Sequence, residues 1–204
     1  VVSLALGIGA NAAIFSLFEE VVIRTLPVPE PERLVFFEAP GPTQGSTSCN
    51  QAGECDAVFS HPMFRDLEAV RPSPFQGVAA HFHQGVNLAL GDETIRATAE
   101  FVSGSYFPVL GVEPHLGRVM GVSDDRTPGA HPVAVLSHEY WSGRLASDRS
   151  VVGRTVSVNG EPFTVVGVAA EGFRGTTVAV RPEVFLPMRM RAATPSFSRW
   201  SWMP

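Results

Sequence analysis

Lysine is missing altogether: all 15 basic residues of this 204-residue chain are arginine. The bias reads as coding-sequence composition before function, yet it has one firm consequence. A phosphate-cradling G-x-x-x-x-G-K-[ST] loop is excluded, and with it ATP binding in the P-loop manner. Charge of either sign is sparse as well, at 17% of residues against about 25% in an average soluble domain. The net charge of -5 comes without any basic block. Phosphate neutralisation has no clustered cations to draw on, so nucleic-acid binding is not expected. Cysteine is limited to Cys49 and Cys55, both in the polar stretch GPTQGSTSCNQAGECDAVFS. Two thiols cannot complete a four-ligand zinc site, and their spacing is not the CxxC of redox or ribbon motifs. A local disulfide is favoured over free thiols. It would restrict a small loop, worth about 2 kcal/mol, and would imply an oxidising compartment.

The other absence is local: the first 18 residues, VVSLALGIGANAAIFSLF, carry no charge. Three readings compete for them. Gly7-Ile8-Gly9-Ala10-Asn11-Ala12 fits the G-x-G-x-x-A turn of a dinucleotide-binding unit, with Leu34–Phe37 as the second strand and Glu38 for a ribose hydroxyl. Against this, Glu38 lies 26 residues beyond Ala12, past the usual ~20. A signal peptide would use Ala10-Asn11-Ala12 for cleavage, but the apolar run continues to Phe18 and no basic n-region precedes it. A membrane helix needs about 20 apolar residues, and so requires only that the helix begin before Val1. Ala5, Gly9 and Ala13 then form a small-residue row that lets helices approach closely. Glu19, Glu20 and Arg24 would mark the exit into a short stalk. Pro27, Pro29 and Pro31 stop any helix near Leu26.

Downstream, Ser60-His61-Pro62 predicts a capped helix start. Met63, Phe64, Leu67 and Val70 share a face expected to cover a sheet. Leu34–Phe37 and Phe75–Phe82 read as strands. Val86–Leu90 and Ile95–Phe101 make a hairpin about Gly91-Asp92, with Ile95, Ala97, Ala99 and Phe101 on one face and Arg96, Thr98 and Glu100 on the other. Thr155–Val158 and Phe163–Val166 make a second about Asn159-Gly160, the strongest short hairpin signal. Short helices at 105–110 and 138–146, the latter capped by Ser137, and strands at Val133–Leu136 and Val184–Leu186 complete the pattern. Hairpins where βαβ units would be required argue for an α+β domain and against the dinucleotide reading.

Candidate chemistry is thin. His81 and His83 would share a strand face as two metal ligands, with His61 or Asp66 as a third, but two surface histidines are the favoured reading. Ser137-His138-Glu139 holds nucleophile, base and acid types, yet adjacent helical residues do not face one another. Asp124-Asp125 reads as a solvated turn. No catalytic, cofactor or metal site is therefore assigned.

LALGIGANAAIFSLFEEVVIRTLPVPEPERLVFF resembles the first transmembrane helix and following strand of MacB/FtsX-type ABC transporter permeases, most closely the duplicated orphan permeases. The likeness continues through FSHPMFRDLE, VSGSYFPVLGVEPHLGR, VAVLSHEYWSGRL and VVGRTVSVNGEPFTVVGVA. It implies an α+β MacB-like periplasmic core domain over residues 32–204, with a mixed αβ porter-like part and a smaller strand-rich insertion. Residues 1–26 would be the end of the first transmembrane helix and its stalk. It further implies a bacterial inner membrane location with the main domain periplasmic, a separate cytosolic ATPase subunit, a permease dimer and a periplasmic adaptor. The role is coupling in efflux or mechanotransmission, without enzymatic activity or cofactor. Ala5, Gly9, Ala13, Glu19, Glu20 and Arg24 are the expected packing and coupling residues. The chain opens at Val1 and stops just after Trp200-Ser201-Trp202, so it is expected to be a piece of a longer protein. The alternatives are an extracytoplasmic sensor or adaptor-docking domain acting through loop 40–57 and, more remotely, an NAD(P)-linked oxidoreductase.

Overall fold

The computed structural model describes residues 8, 9, 11, 26–38, 58–70, 73–91, 93–177 and 179–193, with the backbone alone at 192 and 193. Seven strands form one sheet: β1 (His81–Leu90), β2 (Glu93–Val102), β3 (Pro114–Gly117), β4 (Val133–Leu136), β5 (Thr155–Val158), β6 (Glu161–Ala169) and β7 (Val184–Pro187). Four helices with both ends among the described residues accompany it: α1 (His61–Ala69), α2 (Tyr106–Leu110), α3 (His138–Arg144) and α4 (Met188–Ala193).

The sheet closes on itself. β1 pairs with β2, β2 with β7, β7 with β4, β4 with β6, β6 with β5, and β5 returns to β1. The β2–β7 and β4–β6 pairings are parallel and the others antiparallel. β3 adds to the far half of β6, outside the ring. Closure removes unpaired edges, the main hazard of a sheet. The Asn159-Gly160 turn has both residues at positive φ, 52° and 89°, as a tight two-residue hairpin requires. It also helps shut the ring: Asn87 N–H donates to Asn159 Oδ1 at 2.8 Å, and Asn159 N–H donates to Asn87 O at 2.8 Å.

Alternation along the strands then makes two cores. Inside, Leu88, Ala99, Phe101, Leu136, Val158 and Phe163 join one buried cluster, into which α3 inserts Trp141 and α4 inserts Met190. Outside, Val102, Val135 and Phe185 meet Tyr106, Phe107 and Leu110 of α2, with Phe173 stacked on Phe185. Ser60 and Ser137 cap α1 and α3 as expected, accepting from the Met63 and Tyr140 N–H groups.

The structure corrects three expectations. Leu34–Phe37 is extended but unpaired, with Val35 and Phe36 61% and 72% exposed; a short apolar run does not separate a strand from a segment laid on a core. The strand expected from Phe75 starts only at His81. Before it, side-chain bonds replace the ladder: Ala80 N–H donates to Ser103 Oγ at 3.0 Å and Ser105 Oγ–H to Val78 O at 2.7 Å. Helix α1 buries only Phe64, leaving Met63 and Val70 exposed, and borders a cleft instead of covering the sheet.

Gly167 sits where β6 passes between β3 and β4, and an added Cβ would overlap the Leu116 and Arg118 carbonyl oxygens. Gly143, in α3, has open space around it. Gly167→Ala is expected to lower stability by about 1–3 kcal/mol or more through overpacking, while Gly143→Ala raises it by up to about 1 kcal/mol through helix propensity. Urea unfolding midpoints of the two variants check both signs.

Candidate functional site

Three features stand out as candidate sites. The first is the lead-in segment. Val28 N–H donates to Leu26 O at 2.8 Å, and Leu26, Val28 and Leu34 pack against the outer core. Pro29 lies over Gly111, where a Cβ would come within 3.3 Å of the proline ring; Gly111 takes φ +65° to terminate α2. Prolines cannot continue a helix, so the alternation of Pro27, Pro29 and Pro31 gives a stiff strap seated on the domain.

The second is a buried polar chain. Glu100 points outward from β2, as the strand alternation predicts, yet its side chain is 0% exposed. His81 Nδ1 lies 2.8 Å from Glu100 Oε1, but neither atom meets hydrogen-bond geometry. His81 Nε2 is 3.0 Å from the Thr176 hydroxyl, which in turn is 3.3 Å from the Tyr106 hydroxyl. Burial, reinforced by the Glu100 carboxylate, pushes the Tyr106 phenol far up, against the Thr176 hydrogen bond. The order carboxylate, imidazole, hydroxyl is that of an activated nucleophile. Here, however, the carboxylate is misaligned and the hydroxyl is shared with Tyr106. Gly175, at φ +80°, backs onto Glu100, whose Oε2 an added Cβ would overlap. The arrangement pins the loop at 172–177 to the sheet.

The third is a cleft of about 90 Å³ between α1, the 3-10 turn Val122–Asp125 and α4. Arg65, Arg126 and Arg189 line it, with His61 and Asp125. Burial and the neighbouring Arg189 lower the His61 pKa. Burial raises that of Asp125, against bonds from the Arg189 and Gly104 N–H groups. Asp124 behaves oppositely. Burial pushes its carboxyl up, but two bonds from Arg118, at 2.7 and 2.9 Å, and one from Gly121 N–H at 2.9 Å overcome this and hold it below the usual range. The solvated acidic turn expected from the sequence is thus a built junction.

Of the residues singled out from sequence, Gly9 is helical and exposed, with nothing among the described residues near its Cβ position. Ala5, Ala13, Glu19, Glu20, Arg24, Cys49 and Cys55 lie outside the described residues. No described helix is long and apolar enough to cross a membrane. Glu38 is exposed. His81 and His83 do share a face of β1, but their common neighbour is Glu100, with His83 directly opposite it in register. No group of three or more His, Cys, Asp and Glu that could hold a metal forms among the described residues. Glu139 pairs with Arg174 at 2.6 Å and does not face Ser137. Sequence reasoning missed the buried role of Glu100; its only signal was an acid amid the apolar run ATAEFV.

A closed mixed sheet, an outer helix layer and a strapped N-terminal segment define a mixed helix-and-strand domain. The sequence profile of the MacB-like periplasmic core domain matches residues 1–202, and this chain belongs to that family. Among curated proteins no sequence matches. The fold is similar to the extracellular domain of the noncanonic ABC-type transporter YknZ from Gram-positive bacteria, at TM-score 0.54 and 20% identity over 67% of this chain and 66% of that one. It is also similar to the periplasmic region of MacB from Actinobacillus actinomycetemcomitans, at TM-score 0.54 and 18% identity over 75% and 63%. The match thus spans just under two thirds of each of those domains.

Because the Asp124 pKa is lowered on folding, its stabilisation is full above the unfolded carboxyl value, near pH 4, and is lost as pH falls through the lower folded value. Asp124→Asn is expected to be less stable than wild type at pH 7 and to lose less stability between pH 5 and 2. Parallel urea titrations across that range measure the difference; equal slopes would remove the role of the junction.

Proposed function

We propose that this chain is the extracytoplasmic coupling part of an ABC-type permease, acting in efflux or mechanotransmission and driven by a separate cytosolic ATPase. In this reading residues 1–26 end the first transmembrane helix and its stalk, and residues 32–204 form the periplasmic domain of an inner-membrane protein. A second permease copy and a periplasmic adaptor are its partners. The observation that carries the reading is the strap. Leu26, Val28 and Leu34 are seated in the outer core and Pro29 bears on α2's terminal Gly111. A displacement of the preceding segment would therefore be passed to the domain instead of being absorbed in a loose linker. Family membership over residues 1–202 supports the assignment.

The helix-packing role of Ala5, Gly9 and Ala13, and the stalk role of Glu19, Glu20 and Arg24, belong to the same proposal. Gly9 gives a clean test, because a Cβ added there would meet nothing within 4 Å among the described residues. Gly9→Leu in the full permease is expected to reduce recovery of the assembled permease–ATPase complex. Thermal unfolding of the domain should be unchanged. Assembly at the wild-type level would eliminate the packing role.

A further inference from the structure

Two imidazoles meet beside Trp141. His115 comes from the short strand β3 and His138 from the first turn of α3, elements distant in sequence. Their ring centres are 4.6 Å apart, with planes at 69°. Both rings rest against Trp141, at 5.1 and 5.5 Å, and Trp141 is held from behind by its indole N–H bond to Asp148 O at 2.8 Å. His115 is exposed and His138 half-buried, so both can be reached from solvent.

We infer that His115 and His138 form a two-imidazole site for a divalent transition-metal ion of the Cu²⁺, Ni²⁺ and Zn²⁺ class. The spacing carries the argument. A metal sits about 2.0 Å from each ligating nitrogen, so two imidazoles at right angles around one ion place their ring centres roughly 4.5 Å apart. The observed rings stand edge to face at that separation, and turning about their side-chain torsions would bring a nitrogen of each toward one ion. Neither ring has a hydrogen-bond partner among the described residues, so nitrogen lone pairs remain for a metal. Packing alone would be served as well by apolar side chains above Trp141. Glu139, beside His138 in sequence, is engaged by Arg174. Imidazole ligands without thiolate or a carboxylate cluster select borderline metals over Ca²⁺ or Mg²⁺, and the stability order favours Cu²⁺. Trp141 forms the floor of the site and would report occupancy.

The test is titration of Cu²⁺ and Ni²⁺ into the chain, purified without a polyhistidine tag, in a Trp200→Phe/Trp202→Phe background that leaves Trp141 as the fluorophore. Saturable quenching at one equivalent is expected, matched by calorimetry, with Ca²⁺ giving none. His115→Ala and His138→Ala should each weaken binding about tenfold or more, since each removes one of two protein ligands. His83→Ala should not. His115→Gln, which keeps side-chain bulk, guards against a folding defect, and thermal unfolding in chelator should match wild type for every variant. Absence of saturable binding overturns the inference. So does binding that survives either alanine substitution, or that His83→Ala weakens equally.

Discussion

Everything else in this domain depends on closing the ring between β5 and β1. That seam is short: two residue pairs, Leu88 with Val158 and Ala89 with Ser157, plus the reciprocal bonds between Asn87 and Asn159. Were it open, β1 and β5 would present edges. Leu88 and Val158, both fully buried, would lose the enclosure that excludes water from the inner core. Apolar burial supplies the driving force, at about 25 cal/mol per Å², but the asparagine turn decides where the sheet ends meet. One dipeptide thus makes the hairpin and the closure together.

A rigid ring changes what the outer face can do. Because β2 and β7 are locked into it, Glu100 and Phe185 project from a fixed platform. The loop at 172–177 and helix α2 are held against that platform by Thr176, Tyr106 and Phe173. The lead-in strap then bears on α2 through Pro29 and Gly111. Force entering at the strap meets a stack of packed rings, and packed cores transmit strain poorly as gradual deformation but well as rigid displacement. The proposed coupling role rests on that continuity, from prolines to α2 to sheet.

Much of this was legible in the residues themselves. Asn-Gly between alternating strands, serine caps ahead of α1 and α3, and the alternating face of Ala97, Ala99 and Phe101 all act within a few residues, so local sequence carries them. The parts that were not legible depend on distant partners. Leu34–Phe37 has strand composition but finds a core in place of a strand. Met63 and Val70 share a helical stripe with Phe64 yet remain exposed, because α1 borders a cleft. Asp124 looks like an ordinary turn residue until Arg118 and Gly121 converge on it. Of the candidate site, only the shared face of His81 and His83 could be foreseen, and not the acid between them.

By itself, then, the sequence determined the inventory: an uncharged N-terminal segment, a proline stop, two hairpins, capped short helices, and the motifs by which the family is recognised. These are set by backbone preferences and side-chain periodicity, which operate over short range. Only the tertiary structure decided that the sheet closes into a ring, that Glu100 is buried beside His81, that the strap is seated on α2, and that His115 meets His138 above Trp141. Each of those joins residues far apart in the chain. No local preference encodes such meetings; they follow from the way a closed sheet brings remote segments to the same place.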